Sequence, residues 1–202
     1  MSTPNDSAPT PPIRDAGDVM NYYSDAYTEI SGTTFNPFLG QTTQVSTIVV
    51  DGNNILKFSN LNYHAFLLAS AQNVSTMNYL HLDIWTPDCT SLEVHLNTNG
   101  TVTLTPTLSS WNSFDILLTS FSEVELSSIT MFNFSSPLNS YTTVYLDNIY
   151  FYKSLTTTTT TTEAPTHQTI LSLESVGTSM NETTGKTNYV WQLKASTTNL
   201  EN

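Results

Sequence analysis

Two stretches of this chain alternate strictly between apolar and polar side chains. They are Leu80-His81-Leu82-Asp83-Ile84-Trp85 and Leu92-Glu93-Val94-His95-Leu96-Asn97. A period of two is the mark of a half-buried β-strand, because successive side chains leave a strand on opposite faces. Leu80, Leu82, Ile84, Leu92, Val94 and Leu96 are therefore expected to face a core. His81, Asp83, Trp85, Glu93, His95 and Asn97 are left for the other side.

Strand-like segments also recur near 17–24, 43–50, 54–59, 101–105, 113–118, 129–134 and 142–152, with turn residues between them and one helical turn expected at Leu118–Phe121. Many short strands at this spacing predict an all-β, antiparallel two-sheet sandwich. Composition agrees: charged residues are 11%, while Thr, Ser, Asn and ten tyrosines crowd the chain, a mixture that favours strands over helices.

The expected organisation is a flexible Pro/Ser/Thr leader over 1–13, a sandwich over 14–154, a Thr-rich linker over 155–166 and a tail over 167–202. The linker holds seven consecutive threonines, Thr156–Thr162, and such a run is compositionally an extended spacer. In the tail, Ile170–Val176 and Tyr189–Leu193 are short strand-like runs, too little for a core of their own. They are expected either to begin a second domain or to pair with neighbouring protein subunits through residues 163–202.

Net charge is −12 with five basic residues, which disfavours nucleic acid and anionic membranes as partners. No apolar run approaches the length of a membrane span, and the first residues lack the basic start and apolar stretch of a signal peptide. The single cysteine, Cys89, is read as a small packing residue. Five sequons, at Asn5, Asn73, Asn99, Asn133 and Asn181, are compatible with an extracellular, cell-surface or virion-surface setting.

The alternating stretches are separated by Thr86–Thr90. A symmetric hairpin about Asp88 sets His81 opposite His95 and Asp83 opposite Glu93. Fixed acceptors beside the indole of Trp85 suit a pyranose, which needs an aromatic plane for its C–H face and partners for its hydroxyls. Polysaccharide or glycoprotein glycans are thus the expected ligand, with His81, Asp83, Trp85, Glu93, His95 and Asn97 as contacts. Catalysis is not expected: opposed Cβ atoms sit only about 5 Å apart, and no nucleophile-elbow, metalloprotease or phosphate-loop motif occurs.

Seven segments, APTPPIRDAGDV (8–19), YSDAYTEISGTTFNP (23–37), LGQTT (39–43), LKFSNLNY (56–63), MNYLHLDIWTPD (77–88), WNSFDILLTSF (111–121) and VYLDNIYFYK (144–153), follow in an order that resembles the carbohydrate-binding modules appended to bacterial polysaccharide-degrading enzymes. The resemblance implies a jelly-roll sandwich and a structural Ca2+ held by Asp147 on the last strand with Asp25 from an early loop. It also implies a tryptophan where Phe38-Leu39 stands here, and it makes Trp111 a packing residue. Tyr22, Tyr23, Tyr27 and Tyr63 are further aromatic candidates. A structural or decorative subunit of a virion or extracellular assembly is the alternative use of such a sandwich.

Overall fold

The computed structural model describes residues 2–136, 141–154, 167–181 and 186–199, the last two as backbone alone. The expected linker, 155–166, lies outside the described residues. The chain divides into two units, Met1–Leu155 and Thr156–Asn202.

In the first unit, ten strands form two antiparallel sheets, and the expected β-sandwich is what they make. The strands are β1 (Val19–Tyr23), β2 (Gln44–Val50), β3 (Asn53–Leu61), β4 (Tyr63–Gln72), β5 (Tyr79–Trp85), β6 (Leu92–Leu96), β7 (Gly100–Leu104), β8 (Trp111–Leu117), β9 (Ile129–Ser135) and β10 (Thr142–Tyr152). Sheet A runs β2-β3-β10-β5-β8, with β1 added to β10 beside Ile149–Tyr152, whereas β3 pairs the Thr142–Leu146 half. Sheet B runs β4-β9-β6-β7.

Between the sheets lies one large apolar cluster, containing all six alternating residues assigned inward from the sequence. Phe66 touches Phe58 and Phe134 with ring centroids 5.7 and 5.2 Å apart. Each such ring contributes on the order of 2–3 kcal/mol by leaving water.

One expectation fails. β5 and β6 do not form a hairpin. β5 lies in sheet A between β10 and β8, and β6 lies in sheet B between β9 and β7. The connection is an arch from one sheet to the other, pinned to β10. Thr86 Oγ1 donates to Thr143 O (2.7 Å) and accepts from Cys89 N (2.9 Å), and Thr143 N donates to Asp88 Oδ1 (2.8 Å). Cys89 is fully buried at this corner. Alternation could not separate the two cases, because a hairpin and a sheet-changing arch both put the apolar set inward.

β4 is absent from the sequence reading. Its HAFLLASA is a nearly unbroken apolar run, which carries no period of two. It too follows an arch: Asn60 takes a left-handed φ of 55°, and the Asn62 side chain accepts from Thr42 N and Thr43 Oγ1. The expected turn at Leu118 is a 3-10 turn, Leu118–Ser120.

The second unit contains β11 (His167–Asn181) and β12 (Lys186–Asn199), paired antiparallel with a bulge at Ser175–Gly177. Both strands are longer than the runs read from sequence. Among the described residues no helix is long and apolar enough to cross a membrane.

Candidate functional site

The register of sheet A sets its outward side chains in rows. Trp111, Trp85 and Tyr145 form one row; Ser113, Asp83 and Asp147 the next; then Asp115, His81 and Tyr150; then Leu117, Tyr79 and Tyr152. The first row joins Ile55, Ile48 and Val50 in a second apolar cluster outside the main core.

The middle rows form a polar network. Asp83 accepts from Ser113 Oγ (2.5 Å) and from Asn148 Nδ2 (2.7 Å). His81 Nδ1 donates to Asp115 (2.7 Å), its Nε2 lies 3.5 Å from Asp83, and its ring stacks on Tyr150 at 4.7 Å. Burial works against charging this imidazole, but the hydrogen bonds and charges of Asp115 and Asp83 outweigh it and raise its pKa to about 9. His81 is thus a cation between two carboxylates at neutral pH.

Asp147 accepts from Asn148 N and Asn53 Nδ2, both at 2.7 Å. Burial, with smaller contributions from Asp83 and Asp25, lifts its pKa to about 6. Asn148 takes φ of 52°, and the register with β5 shifts between Asp147 and Tyr150. This bulge lets two consecutive polar side chains serve the same network.

The leader closes this face. Instead of standing free, residues 2–13 are bonded to the sandwich. Trp111 Nε1 donates to Asp6 O (2.8 Å), Asn148 Nδ2 to Pro9 O (2.9 Å), Tyr27 Oη to Pro12 O (2.5 Å), and Ser7 N donates to Asp51 Oδ2 (3.3 Å). Pro4 and Ala8 are buried. Consequently His81, Asp83 and Trp85 are 9%, 1% and 6% exposed. Trp111 does pack, as expected, but on this outer cluster and not in the core.

The other three expected contacts lie on sheet B. Its outward rows are Tyr63, Ser135, Glu93, Thr103 and Ala65, Asn133, His95, Thr101. Thr101 Oγ1 lies 2.8 Å from His95 Nδ1, His95 Nε2 lies 3.1 Å from Ser135 Oγ, and Ser135 Oγ donates to Glu93 Oε2 at 2.8 Å. The Ser135 proton is committed to the carboxylate, so His95 must donate from Nε2 and accept Thr101 at Nδ1. Burial lowers the pKa of His95 against the pull of Glu93, consistent with this neutral tautomer. Tyr63, Met131, Glu93, His95 and Asn133 are half-buried, and Thr101 and Thr103 are exposed.

Asn97, at φ of 54°, spends its amide on the neighbouring turn. It accepts from Thr130 N (2.8 Å) and donates to Ser128 O (3.0 Å). Tyr22 is fully buried in the core, Tyr23 packs against its margin, and Phe38 is 86% exposed. Tyr63 Oη donates to Leu39 O, tying that loop to the sheet B edge.

Sequence reading missed Asn53, Ser113, Asp115 and Asn148 on sheet A, and Asn133 and Ser135 on sheet B. Only Asn148 left a signal, the Asp-Asn doublet that breaks the alternation of β10.

Asp25, exposed, lines with Asn53 and Asn148 a cavity of about 330 Å³ against leader residues 7–11. Asn53 Oδ1 is buried there without a partner. Among the described residues no cluster of three or more His, Cys, Asp or Glu is arranged to hold a metal ion.

No family model matches the chain, and no curated protein matches it. Solved structures similar to it include a Family 11 carbohydrate-binding module from Clostridium thermocellum in complex with a β-1,3-1,4-mixed-linked tetrasaccharide, 17% identical over 68% of this chain and 97% of that one, TM-score 0.49. A family 30 carbohydrate-binding module is 18% identical over 59% and 78%, TM-score 0.44, and a family 29 module 9% identical over 66% and 86%, TM-score 0.46. All are carbohydrate-binding modules, the class that the sequence segments resemble.

Proposed function

We propose that the chain is a non-catalytic glycan-binding module and that its glycan lies across the outer face of sheet B. The observation that carries this reading is the hydrogen-bonded chain Thr101–His95–Ser135–Glu93 on a face the leader does not cover. Its donors and acceptors are oriented in advance, so a sugar hydroxyl meets them with little ordering cost. Tyr63 and Met131 supply apolar surface for the C–H face of a ring. With Ser135 Oγ held between Glu93 and His95, these groups are read as contacts for a bound glycan and not as catalysts.

The test is affinity-gel retardation on a panel of neutral polysaccharides. Glu93→Ala and Asn133→Ala are expected to weaken the retained interaction about tenfold, about 1.4 kcal/mol each, with Trp85→Ala run at a temperature where it is folded as the sheet A control. Equal retardation of wild type and both sheet B variants on every polysaccharide rejects the site.

For Ca2+ the support is chemical. Asp147, Asp25 and the unpartnered Asn53 Oδ1 are hard oxygens of the kind calcium takes, and a cation would offset the like charges of Asp83 and Asp147. A melting temperature that rises with CaCl2 and falls with EDTA is the expected result, and an unchanged melting temperature rejects a stabilising ion.

A further inference from the structure

The three leader carbonyls that accept side-chain hydrogen bonds are those of Asp6, Pro9 and Pro12. Their spacing is three residues, twice in succession. Three is the period of a polyproline II helix, whose carbonyls stay free for a receiving surface. The leader carries the composition for it, with Pro4, Pro9, Pro11 and Pro12. The donors are an indole, an amide and a phenol set along sheet A and its adjoining loop, beside Trp85, Tyr145 and Tyr150. An aromatic-lined track with donors in step with a three-residue repeat is how Pro-rich segments are received.

The joint of this arm is short. Arg14 is held by Lys153 O (3.3 Å) and by the Tyr152 ring, 3.8 Å from its guanidinium. Pro11-Pro12 are stiff, which leaves Ile13 between two fixed points. Ile13 is 98% exposed, an apolar side chain with no cover at the elbow of the arm. We propose that the outer face of sheet A is a receiver for a Pro-rich arm, and that in trans it takes the leader of a second copy of this chain by reciprocal exchange.

A second copy supplies the same carbonyls in the same phase, so exchange loses no contact. It also brings the two elbows together, covering the Ile13 side chains with each other. The arm in cis acts at an effective concentration of about millimolar, which keeps dilute wild type monomeric. Exchange prevails where copies are crowded to that density or where the resident arm is impaired.

The experiment pairs two full-length variants. One carries Ala8→Asp, which sets a carboxylate at a buried leader position beside Asp25 and Asp51 and spoils the arm but not the track. The other carries Trp111→Phe with Tyr27→Phe, which keeps both rings, removes two of three donors and leaves the arm intact. Each alone is expected to elute as a monomer with a cooperative melt. Their mixture, in salt that screens the charge of −12, is expected to give a species of twice the mass. A labelled peptide of residues 2–14 is expected to bind the Ala8→Asp chain at least tenfold more tightly than wild type. The same peptide with one alanine inserted after Ser7, which puts the carbonyls out of step, is expected to lose that binding. A mixture that stays monomeric overturns the proposal. If the in-phase peptide still binds in that case, the track belongs to a free Pro-rich segment and not to a second copy.

Discussion

The outer faces of the two sheets are built from similar residues put to different use. On sheet A, Asp83, Asp147, His81 and Asn148 are almost wholly withdrawn from water and are bonded to one another and to Ser113, Asp115, Asn53 and the leader. On sheet B, Glu93, His95 and Ser135 are bonded in a row yet remain partly open. Buried polar groups are costly to leave unpaired, so the first face is committed to holding strands and leader together. A half-open row loses little when one member is removed, and its outward lone pairs remain free for a ligand.

The sharpest break between the faces comes from the carboxylates. Asp83→Ala leaves the Ser113 hydroxyl without its acceptor. It also takes one of two carboxylates from the His81 cation and one of two acceptors from the Asn148 amide, and a loss of about 3–4 kcal/mol is expected in denaturant melts. Glu93→Ala, on the half-exposed face, is expected to cost less than about 1 kcal/mol. Comparable losses for the two would erase the distinction.

Trp85→Ala follows, at about 3 kcal/mol from lost packing against Tyr145 and Ile55. At a temperature where the variant is folded, glycan retardation is expected to match wild type. Weakened retardation with unchanged stability would instead return Trp85 to the binding site.

The pH response is next. The folded-state pKa of His81, about 9, lies above its ordinary 6.5. Its contribution is therefore complete below pH 6.5 and is lost as pH rises through 9, on the order of 2–3 kcal/mol. In His81→Gln the part of this decline between pH 6.5 and about 8.5 is expected to disappear, leaving the loss nearer pH 10 that the raised thiol of Cys89 and the buried tyrosines contribute, which stability curves between pH 6 and 10 would show. The smallest effect belongs to sheet B. Thr101→Val frees Nδ1 of His95 and is expected to cost about 1 kcal/mol of stability or less while loosening the glycan about threefold in the same gel assay.

Much of the sandwich could be read from alternation, because the inward residues of β5, β6 and β10 obey a period of two wherever their sheet lies. Pairing could not. Thr86 and Asp88 turn the chain from one sheet to the other by bonding to Thr143, a residue 57 positions away in the case of Thr86, and nothing local announces such a partner. β4 escaped for the converse reason, since Ala65, Leu67 and Leu68 give it apolar residues on both faces. The outward faces were legible only in part. The alternation of the two stretches set their polar residues outward, as found, but whether a leader lies over them depends on bonds from Asp6 and Pro9 to Trp111 and Asn148, more than a hundred positions on. The Pro/Ser/Thr composition of the leader pointed to a flexible segment and away from such docking.

The left-handed Asn148 has one more consequence, for heredity. Upstream of it, odd-numbered positions of β10 point outward; downstream, even-numbered ones do, so Ile149 and Phe151 reach the core while Tyr150 and Tyr152 do not. Loss of that single codon would restore plain alternation and keep the four residues that follow on their faces, at the cost of the amide that bonds Asp83 and Pro9. Loss of an interior codon elsewhere in the strand would instead set the residues on one side of it on the wrong face. Gene variation along this strand is therefore expected to spare its length even where it changes its letters.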